Sequence, residues 1–307
     1  MKKSVKKSSK TASKDNKVLE LFGHSTRVRN SWATIVESQH CPFAKSKCFK
    51  VRKSEPDISI GTCVVRYGKG YCQDVIICPN RLLERRQVFT DCLHLLTQHE
   101  PGNELHIIPE VSIPGGSVDY FLTSVIRGKI KDFVGIEFQT LDTTGTVWPE
   151  RQRLVAELGL KPSDSAGSLK KSFGMNWKMT AKTILVQMHH KVGTLEHVGK
   201  HLVLVVQDCL MKYLEKEFSF GHISGVRLGD TLHIHSYKLE ELNREFKIQL
   251  DKRASTDEEG VARCLGIQAE TKIELETIIN ELEKKLSKKT LFSIDAPLAY
   301  GGELPTE

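Results

Sequence analysis

Polar residues on two strand-like segments have the types and the spacing of a divalent-cation site. Asp119 follows a Pro-Gly-Gly turn, and seventeen residues separate it from Glu137, which is followed two positions later by Gln139. Because side chains alternate along a strand, Glu137 and Gln139 point to the same face. A neighbouring strand that carries Asp119 would let these oxygens hold Mg²⁺ against a phosphodiester, and Glu110 could add a third carboxylate. The alternative is a solvated polar strand face.

A second group of residues has the chemistry of a thiolate metal site. Four sulfur ligands in tetrahedral array select zinc or iron, and closing such a site stabilises a segment with little apolar material. Cys78 follows an apolar strand and is a better fourth ligand than Cys72. The alternative is a set of buried free thiols, which we also expect for Cys92, Cys209 and Cys264. Five of the eight cysteines fall within 38 residues, namely Cys41, Cys48, Cys63, Cys72 and Cys78.

Length and composition fit one large or two modest domains with a full-sized core. The chain has 307 residues, of which 39% are hydrophobic,. Its longest purely aliphatic stretch, 202–206, is far too short to span a bilayer, and no apolar segment follows the basic start as in a signal peptide,. We therefore expect a cytoplasmic protein, in which cysteines stay reduced.

Positive charge is concentrated in three places. The formal net charge is +7, and residues 1–17 alone contribute +6. Residues 41–90 carry ten Lys or Arg against four acids, and residues 151–191 carry eight against two. Two basic segments in an otherwise acidic body favour a phosphate-binding cleft, although solvated charged faces are also common. The basic tail itself is typical of a disordered segment.

Hydrophobic periodicity predicts an α/β (α+β) protein with a mixed central sheet flanked by helices. Residues 41–86 look irregular and too poor in apolar residues to bury a core of their own. Three alternating segments predict an antiparallel meander, at 104–112, 117–126 and 132–141,. The other predicted strands are 202–207 and 231–237, and the predicted helices are 18–22, 86–99, 177–191, 208–217 and 271–286.

Several blocks of the sequence together resemble the NotI-type restriction endonucleases. The resemblance covers roughly residues 20–290, and the order and spacing of the blocks are more specific than any one of them. The blocks are Cys41-Pro42-Phe43, Cys48-Phe49-Lys50-Val51-Arg52-Lys53-Ser54, Gly61-Thr62-Cys63, Ile77-Cys78-Pro79-Asn80-Arg81, Val118-Asp119, Ile136-Glu137-Phe138-Gln139 and Asn176-Trp177-Lys178.

The resemblance implies a type II restriction endonuclease with a PD-(D/E)xK nuclease core. Such an enzyme is a homodimer that cleaves double-stranded DNA with Mg²⁺ at a GC-rich palindrome, here a site that could contain CGGCCG. By position, Cys41, Cys48, Cys63 and Cys78 match structural iron ligands, for which zinc remains the alternative. The residues that match catalytic positions are Asp119, Glu137, Gln139 and Glu110, and Asp119 and Glu137 are the expected Mg²⁺ ligands.

The resemblance also predicts the domain organisation. The expected parts are a disordered basic tail at 1–17, a four-cysteine metal-binding subdomain with DNA contacts at 18–88, an endonuclease core at 89–296 and a C-terminal tail at 297–307.

Basic residues of both basic segments are candidates for DNA contact. An Arg or Lys can read guanine in the major groove, although contact with phosphate is commoner. The alternatives to a restriction enzyme are a metal-stapled DNA-binding protein without catalysis, and a nuclease of the same fold without strict sequence specificity. The candidate DNA-contacting residues are Lys50, Arg52, Lys53, Arg81, Arg86, Lys178 and Lys182.

Overall fold

The computed structural model of the chain describes residues 11–13, 15–68, 74–163, 173–223, 225–266 and 275–292. The chain divides into two compact units. The first comprises Met1–Arg85, Thr140–Trp177 and Leu239–Gln249, and the second comprises Arg86–Gln139, Lys178–Lys238 and Leu250–Glu307. The first unit thus takes in two segments from the predicted core range as well as the cysteine-rich region.

The described residues form a mixed α+β protein. The helices are α1 (Trp32–Ser38), α2 (Gln87–Cys92), α3 (Trp148–Glu157), α4 (Trp177–His197), α5 (Asp208–Glu217), α6 (Glu258–Leu265) and α7 (Leu275–Glu283). The strands are β1 (Val18–Leu21), β2 (His24–Ser25), β3 (His40–Cys41), β4 (Ser46–Lys47), β5 (Val51–Arg52), β6 (Glu55–Ser59), β7 (Thr62–Arg66), β8 (Asp74–Ile76), β9 (Glu104–Ile113), β10 (Gly116–Ile126), β11 (Lys129–Gln139), β12 (Thr143–Thr144), β13 (Gly174–Met175), β14 (His201–Gln207), β15 (Leu232–Leu242), β16 (Glu245–Thr256) and β17 (Leu291–Phe292). Two 3₁₀ segments span Pro79–Arg86 and Leu93–Leu95.

A seven-stranded mixed sheet has the strand order β16-β15-β14-β11-β10-β9-β17. Strands β9, β10 and β11 form an antiparallel meander, and β14 runs parallel to both β11 and β15. The sequence of β14 is nearly continuous in Leu and Val, as expected of a parallel strand covered on both faces, and five of its residues are fully buried,. The predicted mixed sheet and its meander are confirmed.

Helix α4 buries one face at helical spacing, through Ile184, Leu185, Met188, Val192 and Leu195,. Lys178 and Lys182 belong to its exposed surface. Helix α4 begins at Trp177, as the sequence predicts, but continues six residues beyond the predicted end. Within the described residues, no helix has both the length and the apolar character needed to cross a membrane.

The first unit is built around a four-stranded sheet with the order β2-β1-β7-β8, together with the two-stranded ribbons β3-β4, β5-β6 and β12-β13. Val64, Val65, Val75 and Ile76 of this sheet are buried, so the segment 41–86 contributes apolar residues to a core in a sheet that it shares with β1. A core cluster of the first unit packs β1 against α1 and α3. Its residues are Val18, Leu21, Phe22, Trp32, Cys41, Cys48, Leu154 and Leu158.

Local sequence pattern fails at two further places. The predicted helix at 18–22 is wrong, because Val18–Leu21 is a strand that pairs with β7. The predicted helix at 86–99 is confined to Gln87–Cys92 with a short 3₁₀ turn after it. The C-terminal helix is described from Leu275 to Glu283, and the predicted start at 271 lies outside the described residues, as do most of the predicted basic tail and all of the predicted C-terminal tail at 297–307.

Candidate active site and cysteine cluster

Three carboxylates lie on one rung of the antiparallel meander. The register of β10 against β9 sets Asp119 opposite Glu110, and the register of β10 against β11, continued by one residue, sets it opposite Glu137. We call Glu110, Asp119 and Glu137 the carboxylate rung. The structure therefore brings together the three carboxylates that the sequence singles out.

The backbone ladder between β10 and β11 ends where the carboxylate rung begins, because side chains take over its hydrogen bonds. The backbone N–H of Phe138 donates to Asp119 Oδ2 at 2.8 Å. In return, the backbone N–H of Asp119 donates to the carboxylate of Glu137. This reciprocal exchange fixes the orientation of both carboxylates without closing the strands over them.

Burial increases along the carboxylate rung. Glu110 is exposed, Asp119 is partly buried, and Glu137 is only 6% exposed. Burial raises the pKa of Asp119 above its usual value, and the charge of Glu110 adds to the rise. Burial together with the nearby charge of Asp119 raises the pKa of Glu137 to about 7. The rung therefore favours any cation that can enter it.

Glu110 has a backbone conformation that is unusual for a residue with a side chain. Its φ of +48° is in the left-handed region, within an otherwise regular strand. Such conformations cost on the order of 1–3 kcal/mol and are concentrated at functional sites. The Glu110 carbonyl accepts a hydrogen bond from Lys285, which follows α7.

Gln139 is the last residue of β11, two positions after Glu137 and paired in register with Val206 of β14. It is partly buried, and strand alternation places it on the same side of the strand as Glu137,. Its amide is neutral, so it can donate or accept hydrogen bonds but cannot supply a positive charge or act as a general base.

Lys191 is a member of this site that the sequence analysis missed. It lies on α4, is 6% exposed, and its Nζ is 2.6 Å from Glu137 Oε1. Its charge also acts on Asp119. Spacing along the chain could not reveal it, because it is 54 residues from Glu137. The one available signal is the Pro-Gly-Gly turn, which lets α4 approach the strands.

The four predicted metal-ligating cysteines also converge. Cys41 lies in β3, Cys48 directly follows β4, Cys63 lies in β7, and Cys78 precedes a 3₁₀ segment. Cys41, Cys48 and Cys63 each interact electrostatically with Cys78, and all four are buried. We call these four residues the cysteine cluster. Cys72 lies outside the described residues.

Backbone N–H groups point at the sulfurs of the cysteine cluster. Ala44 donates to Cys41 Sγ at 3.5 Å. Cys48 receives hydrogen bonds from the backbones of Lys50 and Gly61. Such donors favour sulfur that carries negative charge.

Cys78 is the member of the cysteine cluster whose pKa is lowered. A hydrogen bond from the Cys63 side chain lowers the pKa of Cys78, and the ammonium of Lys50 and the N–H groups of Asn80 and Arg81 act in the same direction. The same bond raises the pKa of Cys63, whereas burial raises the pKa values of Cys41 and Cys48. Three sulfurs therefore keep their protons until something replaces them.

In the described part of the chain, no group of three or more His, Cys, Asp or Glu side chains is arranged to hold a metal ion as it stands. The donor sets nonetheless fit the two predicted metals by their chemistry. Four buried sulfurs with N–H donors suit a soft ion, and three carboxylates, of which Asp119 and Glu137 have a raised pKa, suit a hard one,. Cys92, Cys209 and Cys264 are buried elsewhere, as expected of core residues.

The prediction that Arg81 contacts DNA is wrong. Arg81 is fully buried, and its guanidinium donates to Glu20 at 2.7 Å, to Glu84 at 2.9 Å and to the Phe246 carbonyl at 2.7 Å. A guanidinium has five N–H donors in a fixed fork, and this one is used to hold the first unit together.

Two other candidates for DNA contact have their charged groups engaged within the first unit. Lys50 is partly buried and donates to the carbonyl of Ile77, beside Cys78. Arg52 pairs with Glu55 at 2.7 Å and lies over the ring of Trp148 at 4.6 Å. Lys50 therefore belongs to the neighbourhood of the cysteine cluster.

The remaining candidates are accessible. Lys53, Lys178 and Lys182 are exposed, and Arg86 is partly buried with its guanidinium 5.8 Å from the ring centre of Phe89. Lys178 and Lys182 are four residues apart and so lie on the same face of α4,.

Comparison with known proteins adds no identity. The chain matches no family model, and no curated protein matches it.

Proposed function

We propose that this protein is a type II restriction endonuclease, a Mg²⁺-dependent hydrolase of phosphodiester bonds in double-stranded DNA. The observation that supports this proposal most is the carboxylate rung, where Glu110, Asp119 and Glu137 meet at the point at which β10 and β11 part. A solvated polar strand face would not need a buried Glu137 or a strained Glu110.

Asp119 and Glu137 are the proposed ligands of Mg²⁺, with Glu110 at the exposed end of the rung. When bound there, Mg²⁺ supplies positive charge to the phosphate and makes water a better nucleophile at neutral pH. The residues themselves hold their oxygens in place through the N–H groups of Phe138 and Asp119. Gln139, which carries no charge, can orient a water molecule by hydrogen bonding.

The cysteine cluster is proposed to hold a structural iron or zinc ion. Four thiolate ligands leave no open position for a substrate, so this ion would stabilise the fold rather than take part in cleavage. The short strands around the cluster support this role, since β3 and β4 have only two residues each. The resemblance to NotI-type enzymes favours iron, and elemental analysis of the purified protein distinguishes the two metals.

The proposed substrate is a GC-rich palindrome, which could contain CGGCCG, and the proposed active form is a homodimer. A two-fold axis in the protein matches a palindromic site in DNA. Lys53, Lys178, Lys182 and Arg86 are the proposed contacts to DNA, because their side chains reach solvent. These assignments follow from the resemblance and from charge.

Cleavage of a long DNA in the presence of Mg²⁺ tests the proposal. The expected result is a set of discrete fragments from the wild-type protein and intact DNA from Asp119→Asn and Glu137→Gln, both of which still bind DNA. Asp132→Asn is the matched control, since Asp132 is a buried carboxylate on β11, the strand that carries Glu137, and is paired with Lys200. A smear of products would indicate a nuclease without sequence specificity. Equal cutting by Asp119→Asn would refute the assigned site.

One observation favours a non-catalytic DNA-binding protein as the second candidate. Glu137 is buried against Lys191, and a buried ion pair can be purely structural,. If the wild-type protein leaves DNA intact with Mg²⁺ but shifts its mobility in a salt-dependent way, this second function replaces the first.

A further inference from the structure

Lys191 reaches the carboxylate rung because α4 lies unusually close to the turn before β10. A Cβ on Gly115 would come within 2.7 Å of the His190 carbonyl oxygen, and a Cβ on Gly116 would come within 3.1 Å of Lys191 Cε. The hydroxyl of Thr194, on the next turn of α4, donates to the Pro114 carbonyl at 2.7 Å. Gly115 thus allows the backbone of α4 to come close, and Gly116 leaves space for the Lys191 side chain.

A second buried lysine on the same sheet provides a comparison. Lys200 pairs with Asp132 at 2.6 Å, the same distance as between Lys191 and Glu137. Asp132, however, also accepts hydrogen bonds from the backbone N–H groups of Gln98 and Phe133. Glu137 instead faces Asp119, a second carboxylate in repulsive contact.

The charged groups around Glu137 come from every element beside it. Asp119 lies on β10, Glu110 on β9 and Lys191 on α4, while Lys285 binds the Glu110 backbone. Among these groups, Lys191 alone is hydrogen-bonded to a carboxylate of the rung through a charged side chain. Gln139 cannot replace its charge.

We propose that Lys191 is a positioning residue of the nuclease site, which holds Glu137 in its working orientation and competes with the divalent cation for that carboxylate. This inference rests on the proposed function. The ammonium provides the positive charge that the amide at position 139 lacks, and it keeps the carboxylates together before a metal ion arrives. A bound divalent cation then has to share Glu137 with it.

Two measurements on Lys191→Met should therefore move in opposite directions. Removal of an ammonium that repels the incoming ion should tighten binding of Mn²⁺, measured by calorimetry without DNA, by roughly tenfold. The single-turnover rate of DNA cleavage with saturating Mg²⁺ should fall by roughly a hundredfold, because Glu137 is no longer held and the local positive charge is lost. Lys191→Arg keeps the charge and should restore most of both values.

Lys200→Met is the matched control, as it removes an equally short lysine–carboxylate pair from the same strand. It should lower thermal stability about as much as Lys191→Met but leave Mn²⁺ affinity and the cleavage rate unchanged. If Lys191→Met does not fold, Lys191→Gln and Lys200→Gln replace this pair of variants.

The outcomes separate the inference from the function on which it rests. If the wild-type protein cuts DNA and the two lysine variants behave alike, the inference about Lys191 is overturned and the nuclease function stands. If Mn²⁺ affinity and cleavage both fall together in Lys191→Met, the lysine merely maintains the site and the inference fails. If the wild-type protein neither binds Mn²⁺ nor cuts DNA, the function fails and the inference with it.

Discussion

Cys41 and Cys48 of the cysteine cluster lie in or beside two-residue strands and Cys63 lies in a strand of five, whereas the carboxylate rung comes from strands of ten and eleven residues in one sheet. Each gathers groups that repel one another once ionised. The rung is held by regular strand pairing and contains an ammonium from α4. The cluster instead retains protons on three of its four sulfurs. We therefore expect the carboxylate rung to be formed before its proposed metal ion binds, and the cysteine cluster to depend more on its own proposed metal ion.

The largest expected effect is loss of the proposed structural metal from the cysteine cluster. Cys63→Ser should lower the metal content of the protein. It should also lower the free energy of unfolding of the first unit by roughly 5 kcal/mol or more, since metal binding to such sites is coupled to folding. Elemental analysis and thermal unfolding measure both. Cys209→Ala, a buried cysteine outside the cluster, should keep the metal. A Cys63→Ser protein with full metal content and unchanged stability would refute the proposed dependence of the cysteine cluster on a metal ion.

A somewhat smaller effect is expected at Arg81, which tests what else holds the first unit. Arg81→Met leaves Glu20 and Glu84 buried without their partner, which should cost about 3–5 kcal/mol of unfolding free energy,. Chemical denaturation measures it. DNA affinity of the folded variant should not change, because Arg81 does not reach the surface. A selective loss of DNA binding would restore the role that the sequence suggests for it.

The pH dependence of stability sharpens the difference between the two sites. Burial raises the pKa of Glu137 from 4.5 to about 7. A carboxyl group with a higher pKa in the folded state stabilises the fold fully below its unfolded pKa, and this contribution is lost as pH rises through the folded pKa.

Without divalent cations, the free energy of unfolding of the wild-type protein should therefore fall by about 3 kcal/mol between pH 4.5 and 8, relative to that of Glu137→Gln. Denaturation of both proteins across this range measures the difference. A constant difference with pH would show that Glu137 is already ionised at low pH, and the rung would then resemble an ordinary ion pair.

The smallest effect concerns the proposed contacts to DNA. Lys182→Ala on α4 and Lys53→Ala in the first unit each remove one exposed charge. A lysine that contacts phosphate should weaken binding by about 1 kcal/mol and reduce the salt dependence of log K by about one. Salt titrations of DNA affinity for the inactive Asp119→Asn protein measure this. No change in either variant would place the DNA contacts elsewhere.

The sequence predicts the meander and its rung well because alternation is a local property of each strand. Asp119 and Glu137 could be paired from spacing alone, since a short turn joins their strands. The predicted helix at 18–22 is wrong because Val18–Leu21 pairs with β7, more than forty residues away, and this pairing overrides local preference,.

Long-range packing also explains the two residues whose roles the sequence misassigns or misses. Arg81 stands in a basic block, but its partner Glu20 is 61 residues away. Lys191 is one more charge near the end of a predicted helix until α4 packs against the glycine turn. Charge along the chain cannot distinguish a buried ion pair from a phosphate contact.

The reciprocal hydrogen bonds between Asp119 and the residues opposite it have a practical consequence. The N–H groups of Phe138 and Asp119 each donate to a carboxylate rather than to a backbone carbonyl. Their NMR resonances are therefore internal reporters of charge on the two acids. The two amide resonances could be used to follow cation binding and proton release at the carboxylate rung, with one amide for each carboxylate, in the absence of any substrate.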